Sequence, residues 1–333
     1  MRSRDHKITR LLSLLRSGRP TGYVSGQSLA KSAKISRSAI WKQIRALRQY
    51  GYVIESTRGL GYRLVRGTQN PVPWELEKIL RTNVIGKDIV YLRVAESTQG
   101  LALSIAARKK WANGIVVIAE SQKGGRGRLR RKWFSPKGGL WFSVLLRPRI
   151  PTSSITLIPF VAALAVREAI AKTTELDPRL KWPNDVMISG KKVAGILVDI
   201  SAEAELVNYA VVGVGVNANV DASALSAKIT DMQGITSLQN ELGHKVSMLE
   251  LLRNILEGLE HNLDLLTREG ENQIISAWKM HTDMFGRKVT VLQNGKAVHE
   301  GVAADLGQDG SLILEVESGK KLTVTSGDVR IRY

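Results

Sequence analysis

Apolar residues at Ile8, Leu11, Leu12 and Leu15 recur at i, i+3, i+4 and i+7, the stripe of an amphipathic helix that Gly18 and Pro20 are expected to stop. Ser25 is placed to cap a short helix through Leu29 and Ala30. Ser36 is placed to cap a third, in which Ile40, Ile44 and Leu47 face inward until Gly51 closes it. The segment that follows, YVIESTRGLGYRLV, is two short β-type runs about a glycine-rich turn at Arg58 to Gly61. Three helices and a hairpin in that order predict a winged helix-turn-helix. The next stretch, GTQNPVPW from Gly67 to Trp74, has two prolines and no periodicity, so it reads as a linker.

From Ile89 onward strand-like runs (IVYLRV, GIVVIAE, LWFSVLL, GILVDI, LVNYAVVGVGVN) alternate with helical ones, of which Leu101 to Lys110 and Ile158 to Lys172 are the clearest. This pattern predicts an α+β domain around a mixed sheet. Leu249 to Leu266 carries a further helical stripe and Trp278 lies on another helix. From Phe285 the signals Asn294-Gly295, Asp309-Gly310 and Ser318-Gly319 separate short β-type runs, as in a small SH3-like β-barrel. The expected division is a winged-helix domain over 1–66, a linker over 67–83, a central domain over 84–283 and a C-terminal barrel over 284–333. A chain of 333 residues exceeds one ordinary core, which agrees with several domains.

Charge changes the picture at the N-terminus. Residues 1–66 hold four lysines and eleven arginines against Asp5 and Glu55, a net +13, whereas the other 267 residues hold 34 cations against 28 acids. Opposite the apolar stripe of the third helix lie Arg37, Lys42, Arg45 and Arg48 with no acid among them. A helix entering the DNA major groove beside phosphates requires such a face. Ser36, Arg37, Ser38 and Trp41 lie near its start, where base contacts are made, and Arg58 in the wing would touch backbone or minor groove. The alternative is a solvated face on a protein-docking module. The absence of cysteine excludes a disulfide scaffold, thiolate catalysis and Cys-ligated zinc. Leu11 to Leu15 is too short for a signal peptide and no apolar run approaches the roughly 18 to 20 residues of a membrane span, so a cytoplasmic protein is expected.

The segment ESQKGGRGRLRRKWFSP, Glu120 to Pro136, interleaves Gly124, Gly125 and Gly127 with Arg126 and Arg128 directly after an apolar strand. Glycine permits positive φ and close backbone approach, and arginine supplies a two-pronged donor for phosphate, which together describe a mobile anion clamp. It matches neither a P-loop nor a dinucleotide fingerprint, and a basic surface loop without a ligand is the plainer account. In Lys181-Trp182-Pro183-Asn184-Asp185, Asn184 and Asp185 offer polar groups in a turn, which an Asx turn would also explain. A hairpin about Ser189-Gly190 would carry Lys192 into the sheet, to hold a carboxylate or phosphate or simply to stand at a strand start. Gly213, Gly215 and Asn217 share one strand face, bare enough to admit a ligand or close sheet packing. Gly213, Gly215 and Ala218 also fit a relaxed dinucleotide fingerprint, although a polar loop follows. The five histidines are scattered and no nucleophile triad is recognisable. What remains fits chemistry in which a substrate carboxylate attacks a nucleotide phosphate while the protein positions groups and stabilises charge.

Taken in order, Glu96-Ser97-Thr98, Glu120-Ser121-Gln122, Gly125-Arg126-Gly127-Arg128, Arg131-Lys132-Trp133, Lys181 to Asp185, Lys192-Val193-Ala194-Gly195-Ile196-Leu197, Gly213 to Asn217 and Thr236-Ser237-Leu238 resemble the biotin protein ligases. The resemblance is to the bifunctional type that also represses biotin genes, and it spans essentially the whole chain. It implies a winged N-terminus, a central domain akin to class II aminoacyl-tRNA synthetases and a C-terminal SH3-like barrel. It further implies formation of biotinyl-5′-AMP from biotin and ATP with Mg²⁺, without zinc or haem, and transfer of biotin to a lysine of a carboxylase's biotin carrier domain. Ser97, Thr98, Gln99 and Gln122 would hold the biotin ring or chain. Arg126, Gly127 and Arg128 would sit in a loop that orders over biotin and phosphates. Lys192 would bind carboxylate and α-phosphate, with Arg126 and Arg128 sharing the catalytic charge, while Gly195 lets the backbone approach. Asn184 and Asp185 would place ATP with Mg²⁺, Trp133 would wall the adenylate site, and Asn217 would lie on the nucleotide side. The family usually shows Ser-Thr-Asn where this chain has Gln99. The adenylate would act as corepressor by promoting a homodimer on two-fold operator DNA. Competing readings are a lipoate-type ligase and a ligand-sensing winged-helix regulator without catalysis.

Overall fold

The computed structural model describes residues 2–17, 22–203, 206–223, 234–293 and 295–331. Gly18, Pro20 and Asn294, expected at turns, lie outside these residues. The chain forms two units, one running through Ile79 and including Ser247–Glu250, the other comprising Leu80–Val246 and Leu251 onward.

In the first unit α1 (Arg2–Arg16), α2 (Gly26–Ala33) and α3 (Arg37–Gln49) precede β1 (Val53–Thr57) and β2 (Gly61–Arg66). The predicted stripes are the buried ones: Ile8, Leu11, Leu12 and Leu15 on α1, and Ile40, Ile44 and Leu47 on α3. Ser25 accepts the Ser28 N–H at 3.0 Å and Ser36 the Ala39 N–H at 3.1 Å, so both expected caps satisfy amides that helix geometry leaves over. The wing strands pair antiparallel, and Val24 joins them through reciprocal backbone bonds with Tyr62 of 2.8 and 2.9 Å. Gly61 has φ +109°, and a Cβ there would stand 2.2 Å from the Val24 carbonyl oxygen, so only glycine fits.

The stretch expected as a linker is folded from residue 67 to residue 79. Thr68 Oγ1 and Asn70 Nδ2 donate to the Tyr50 carbonyl at 2.5 and 3.1 Å. Pro73 opens α4 (Pro73–Ile79), and Val72, Trp74 and Leu76 are buried. Proline at a first helical position costs no hydrogen bond, which is why two prolines here do not mean irregular chain. Trp74 Nε1 donates to the Tyr52 hydroxyl at 2.7 Å, and that hydroxyl donates to Glu75 at 2.6 Å. Arg16 completes the cluster 2.9 Å from the same carboxylate. Burial, then the Glu75 hydrogen bond, pushes the Tyr52 phenol far above its usual range.

The second unit is built on a seven-stranded sheet. Its elements in chain order are β3 (Ile89–Ala95), α5 (Thr98–Arg108), β4 (Ile115–Gln122), β5 (Leu140–Leu146), α6 (Ile158–Thr174), β6 (Arg179–Lys181), β7 (Asp185–Ile188), β8 (Lys191–Glu203) and β9 (Leu206–Val216). The strand order is β3-β4-β5-β9-β8-β7-β6. Only β3 and β4, joined by the α5 crossover, are parallel; the other neighbours run antiparallel, which makes the sheet mixed. α5 buries Ala102 and Ala106 against Val117, Leu145 and Val211. The segment Thr152–Thr174, which contains α6, has a mean hydropathy of 1.7 over its most apolar 18 residues and is long and apolar enough to cross a membrane by composition. The expectation that no segment approaches that length is therefore corrected. Of its most apolar window 67% is buried inside the fold, where α6 packs on β6 to β9 as a core helix.

Beyond the sheet come α7 (Leu238–Leu242), α8 (Met248–Glu269) and α9 (Glu271–Met280), then β10 (Lys288–Gln293), β11 (Lys296–Leu306), β12 (Leu312–Glu315), β13 (Lys321–Val324) and β14 (Asp328–Ile331). These last strands form the SH3-like barrel, antiparallel in the order β13-β12-β11-β10-β14. It is tied to the central sheet at the Lys181–Asp185 hairpin. There the buried Trp182 donates from Nε1 to the Gly310 carbonyl at 2.9 Å, and its backbone N–H donates to Met284 Sδ at 3.3 Å.

Candidate active site

Period-2 alternation turns the glycines of β8 and β9 to one face, and the strand register sets Gly195 directly opposite Gly215 and Leu197 opposite Gly213. A bare strip results, and the indole of Trp133 lies across it. A Cβ on Gly215 would meet Trp133 Nε1 at 2.5 Å, and one on Gly195 would meet its ring at 3.1 Å. Above the strip is a cavity of about 630 Å³. It gathers the residues singled out for small-molecule chemistry from six separate stretches: Ser97, Thr98 and Gln99; Gln122; Arg126, Gly127, Arg128 and Trp133; Asn184 and Asp185; Lys192 and Gly195; and Asn217.

Lys192 reaches this cavity because Ser189 (φ +50°) and Gly190 (φ +73°) form the tight turn between β7 and β8. Its ammonium lies 2.6 Å from Asp185 Oδ1 and 5.2 Å from the centre of the Trp133 ring. Asp185 and the π-face of Trp133 thus share the task of balancing the lysine charge. Asn184 donates from Nδ2 to the Ile196 carbonyl, which fixes the hairpin beside the strip. Asn217, also buried, donates from Nδ2 to the Thr236 carbonyl at 3.0 Å.

The arginine loop differs from expectation in how it uses glycine. Positive φ falls on Leu129 and Arg130, not on Gly124, Gly125 or Gly127. Gly124 and Gly125 serve close approach instead: a Cβ would stand 2.4 Å from Glu96 Oε1 at the first and 2.4 Å from the Trp133 carbonyl oxygen at the second. Arg128 donates to the Gly327 carbonyl at 3.1 Å and lies 3.6 Å from Asp328, while Arg131 lies 2.5 Å from the other oxygen of that carboxylate. The barrel therefore holds the loop.

At the far end of the cavity Ser97 caps α5, accepting the Gly100 N–H at 3.2 Å. Thr98 and Gln99 follow on the first turn. The Gln122 carboxamide oxygen accepts from the Thr98 N–H at 2.8 Å, and its nitrogen donates to Ser135 Oγ at 2.9 Å. Gln99, buried over Gly213, donates to Asp199 Oδ2 at 2.8 Å and to the Val211 carbonyl at 2.9 Å, and accepts from Ser143 Oγ at 2.9 Å. Asp199, Ser143 and Asp328 escaped the sequence reading. The alternation Gly195, Leu197, Asp199 on β8 was the one available signal for the first; nothing local marks the other two.

Arg126, Arg128, Arg131 and Lys192 are among seven cations that line one cavity, with Asp185 and Asp328 as its carboxylates. Such a site is suited to binding anions and stabilising negative charge. Among the described residues no three His, Asp or Glu side chains cluster as metal ligands. The dinucleotide reading of Gly213 to Ala218 fails on topology, because β9 runs antiparallel to both neighbours and no parallel strand–helix–strand unit surrounds it.

On the winged helix Arg37, Ser38, Trp41, Lys42, Arg45 and Arg58 are exposed. Trp41 is 52% accessible, unusual for tryptophan, and the Arg45 guanidinium stands 5.6 Å from its ring centre. Ser36 is exposed too, with its oxygen engaged as the cap and 2.9 Å from Ser38 Oγ. Arg48 does not join this face: its guanidinium donates to the Ile54 carbonyl at 2.7 and 2.9 Å. It ties α3 to the wing. Leu60, 51% accessible at the wing tip, was not anticipated.

Residues 91–217 match the biotin/lipoate A/B protein ligase family, residues 7–63 an HTH domain and residues 284–332 the biotin protein ligase C-terminal domain. The bifunctional ligase/repressor BirA of Bacillus subtilis is 32% identical over 93% of this chain and 94% of its own length. That of Escherichia coli is 30% identical over 92% and 91%. The structure of biotin protein ligase from Aquifex aeolicus in complex with biotin and ATP superposes with a TM-score of 0.57 at 29% identity, covering 74% of this chain and 99% of that one. With winged helix, ligase domain and barrel all matched, the chain belongs to the family of bifunctional biotin ligase/repressors.

Proposed function

We propose that this protein joins biotin to ATP as biotinyl-5′-AMP, passes the biotinyl group to one lysine of a carboxylase's biotin carrier domain, and represses transcription as an operator-bound homodimer. One observation carries the enzymatic half: Lys192 stands on a glycine-stripped strand surface facing the Gly-Arg-Gly-Arg loop across a single cavity. In the first step a biotin carboxylate oxygen attacks the α-phosphorus and pyrophosphate leaves. In the second the carrier amine attacks the acyl carbon, and AMP leaves with the bonding pair. Both steps build negative charge that Lys192, Arg126 and Arg128 would stabilise. Ser97, Thr98, Gln99, Gln122, Gly127 and Gly195 would shape the biotin end, and Trp133, Asn184, Asp185 and Asn217 the nucleotide end. Mg²⁺ would enter on the ATP phosphates and offset their charge. Asp185 is the carboxylate beside Lys192 that would meet it, which suits an ion that keeps most of its water.

For the regulatory half, Arg37, Ser38, Trp41, Lys42, Arg45 and Arg58 would face DNA, with Ser36 capping the recognition helix. Adenylate-promoted pairing of two copies would present two such helices to a two-fold operator. A cytoplasmic location fits both partners. The test is incubation with biotin, ATP, Mg²⁺ and a biotin carrier domain, with intact-mass detection of one added biotinyl group. Exchange of labelled pyrophosphate with lipoate but not biotin would overturn the substrate assignment. Operator affinity by fluorescence anisotropy, unchanged by biotin plus ATP, would remove the corepressor.

A further inference from the structure

We propose that Asp199 is a positioning residue of the ligand pocket, acting through Gln99 to turn the pocket floor into a row of hydrogen-bond acceptors for the N–H groups of a cyclic urea. The inference rests on the biotin reading above and adds to it a residue that touches no substrate.

Its basis is the bookkeeping of protons. A carboxamide has two donors on nitrogen and one acceptor oxygen, and which way it faces is set by its neighbours. The neighbours on one side of Gln99 are Asp199 Oδ2 at 2.8 Å and the Val211 carbonyl at 2.9 Å, both acceptors without a proton to give. The amide nitrogen must face them. A flipped amide would aim oxygen at a carboxylate and a carbonyl inside a nearly closed site, where Gln99 is only 6% accessible. The carboxamide oxygen is thereby fixed toward Ser143, whose Oγ donates to it at 2.9 Å. Ser143 is fully buried and its one proton goes to Gln99, so its lone pairs remain for a ligand and for Thr98 Oγ1, 2.9 Å away, whose single proton is shared between Ser143 and Gln122 Oε1 at 3.1 Å. Gln99 keeps one free lone pair and no free N–H. The order set by one carboxylate thus passes from Asp199 to Gln99 to Ser143 and presents oxygen lone pairs to the cavity.

Two features of this chain make the arrangement possible. Gly213 leaves the space over which the amide lies, since a Cβ there would be 2.4 Å from Gln99 Oε1. Asp199 pairs with Val211 across β8 and β9, two rungs outward from the Leu197–Gly213 pair and so on the same face of β8 as Leu197, within reach of a glutamine. An acceptor floor favours a ureido ring, which brings two N–H donors, and leaves a dithiolane ring unpaired.

The test is calorimetric biotin binding to the full chain, with melting temperature and ATP KM measured alongside. Asp199→Ala should weaken biotin about tenfold and leave the ATP KM unchanged, while Asp199→Asn, which keeps an acceptor oxygen, should restore affinity to within about twofold. Asp199→Thr, suited to a strand and too short to reach the amide, stands in if the alanine variant does not fold. Gln99→Met should reproduce the loss, and adding Asp199→Ala to it should cost nothing more. The preference for biotin over its ureido N-methyl derivative should shrink in Asp199→Ala. Unaltered biotin affinity in the truncated variants, or additive losses in the double variant, would overturn the proposal. A wild type that binds no biotin would overturn the ligase reading itself, and this with it.

Discussion

Lys192 and Asp185 form an ion pair of 2.6 Å across the β7–β8 hairpin, inside the cavity that the arginine loop borders. The ammonium is thus held at a fixed point over the glycine strip, already balanced, ready to exchange its carboxylate partner for a phosphate or carboxylate of substrate. Lys192→Ala is expected to lower biotin-dependent pyrophosphate exchange about 100-fold to 1,000-fold, the usual loss when one preorganised charge is removed from a transition state. A regulator without catalysis would keep ligand and operator binding in this variant.

Asp328 holds Arg128 and Arg131 from the barrel, 3.6 and 2.5 Å away. Arg131 is half exposed, so the pair is worth about 1 kcal/mol or less. Asp328→Asn should therefore release the loop up to about fivefold more often, read as faster tryptic cleavage between Arg126 and Arg131. Biotin with ATP should slow cleavage in both proteins. Equal cleavage of the variant and wild type would show that the Asp328 carboxylate does not restrain the loop, leaving the Arg128–Gly327 bond as its tie to the barrel.

Arg45 and Arg48 lie on one helix and are expected to fail differently. Arg45→Ala should weaken operator DNA and reduce the slope of log affinity against log salt by about one, as loss of one phosphate contact does. Arg48→Ala should lower thermal stability of the N-terminal unit by about 1 to 2 kcal/mol, because it strands the Ile54 carbonyl. Its DNA affinity at a temperature where it is folded should match wild type.

His281 titrates below its usual 6.5, because burial and then the neighbouring Arg167 and Arg179 disfavour the imidazolium. A depressed folded-state value favours the neutral ring, so the contribution to stability is complete above the unfolded value and is lost as pH falls through the folded one. The melting temperature should drop on going from about pH 7.5 to about pH 5, and His281→Asn should flatten part of that drop. A variant with the wild-type pH profile would assign the drop to other groups.

Much of this protein was legible from neighbours along the chain. The helical stripes, both serine caps and the glycine face of β9 follow from the 3.6 and 2.0 residue periods of the backbone, which any short window reveals. The Gly-Arg-Gly-Arg and Lys-Trp-Pro-Asn-Asp segments marked the anion site through their joint resemblance to the biotin protein ligases, since each by itself also fits a surface loop or an Asx turn. Tertiary structure alone decided the pairs of large sequence separation: Arg128 with Gly327, Gln99 with Asp199, and Trp74 with Tyr52. It also assigned Arg48 to the wing and placed positive φ on Leu129 and Arg130. A charge or carboxamide carries no local sign of its partner, since that partner is fixed by strand order, register and the docking of the barrel. Those are settled by how the whole chain buries its apolar surface, and no short stretch of sequence contains that information.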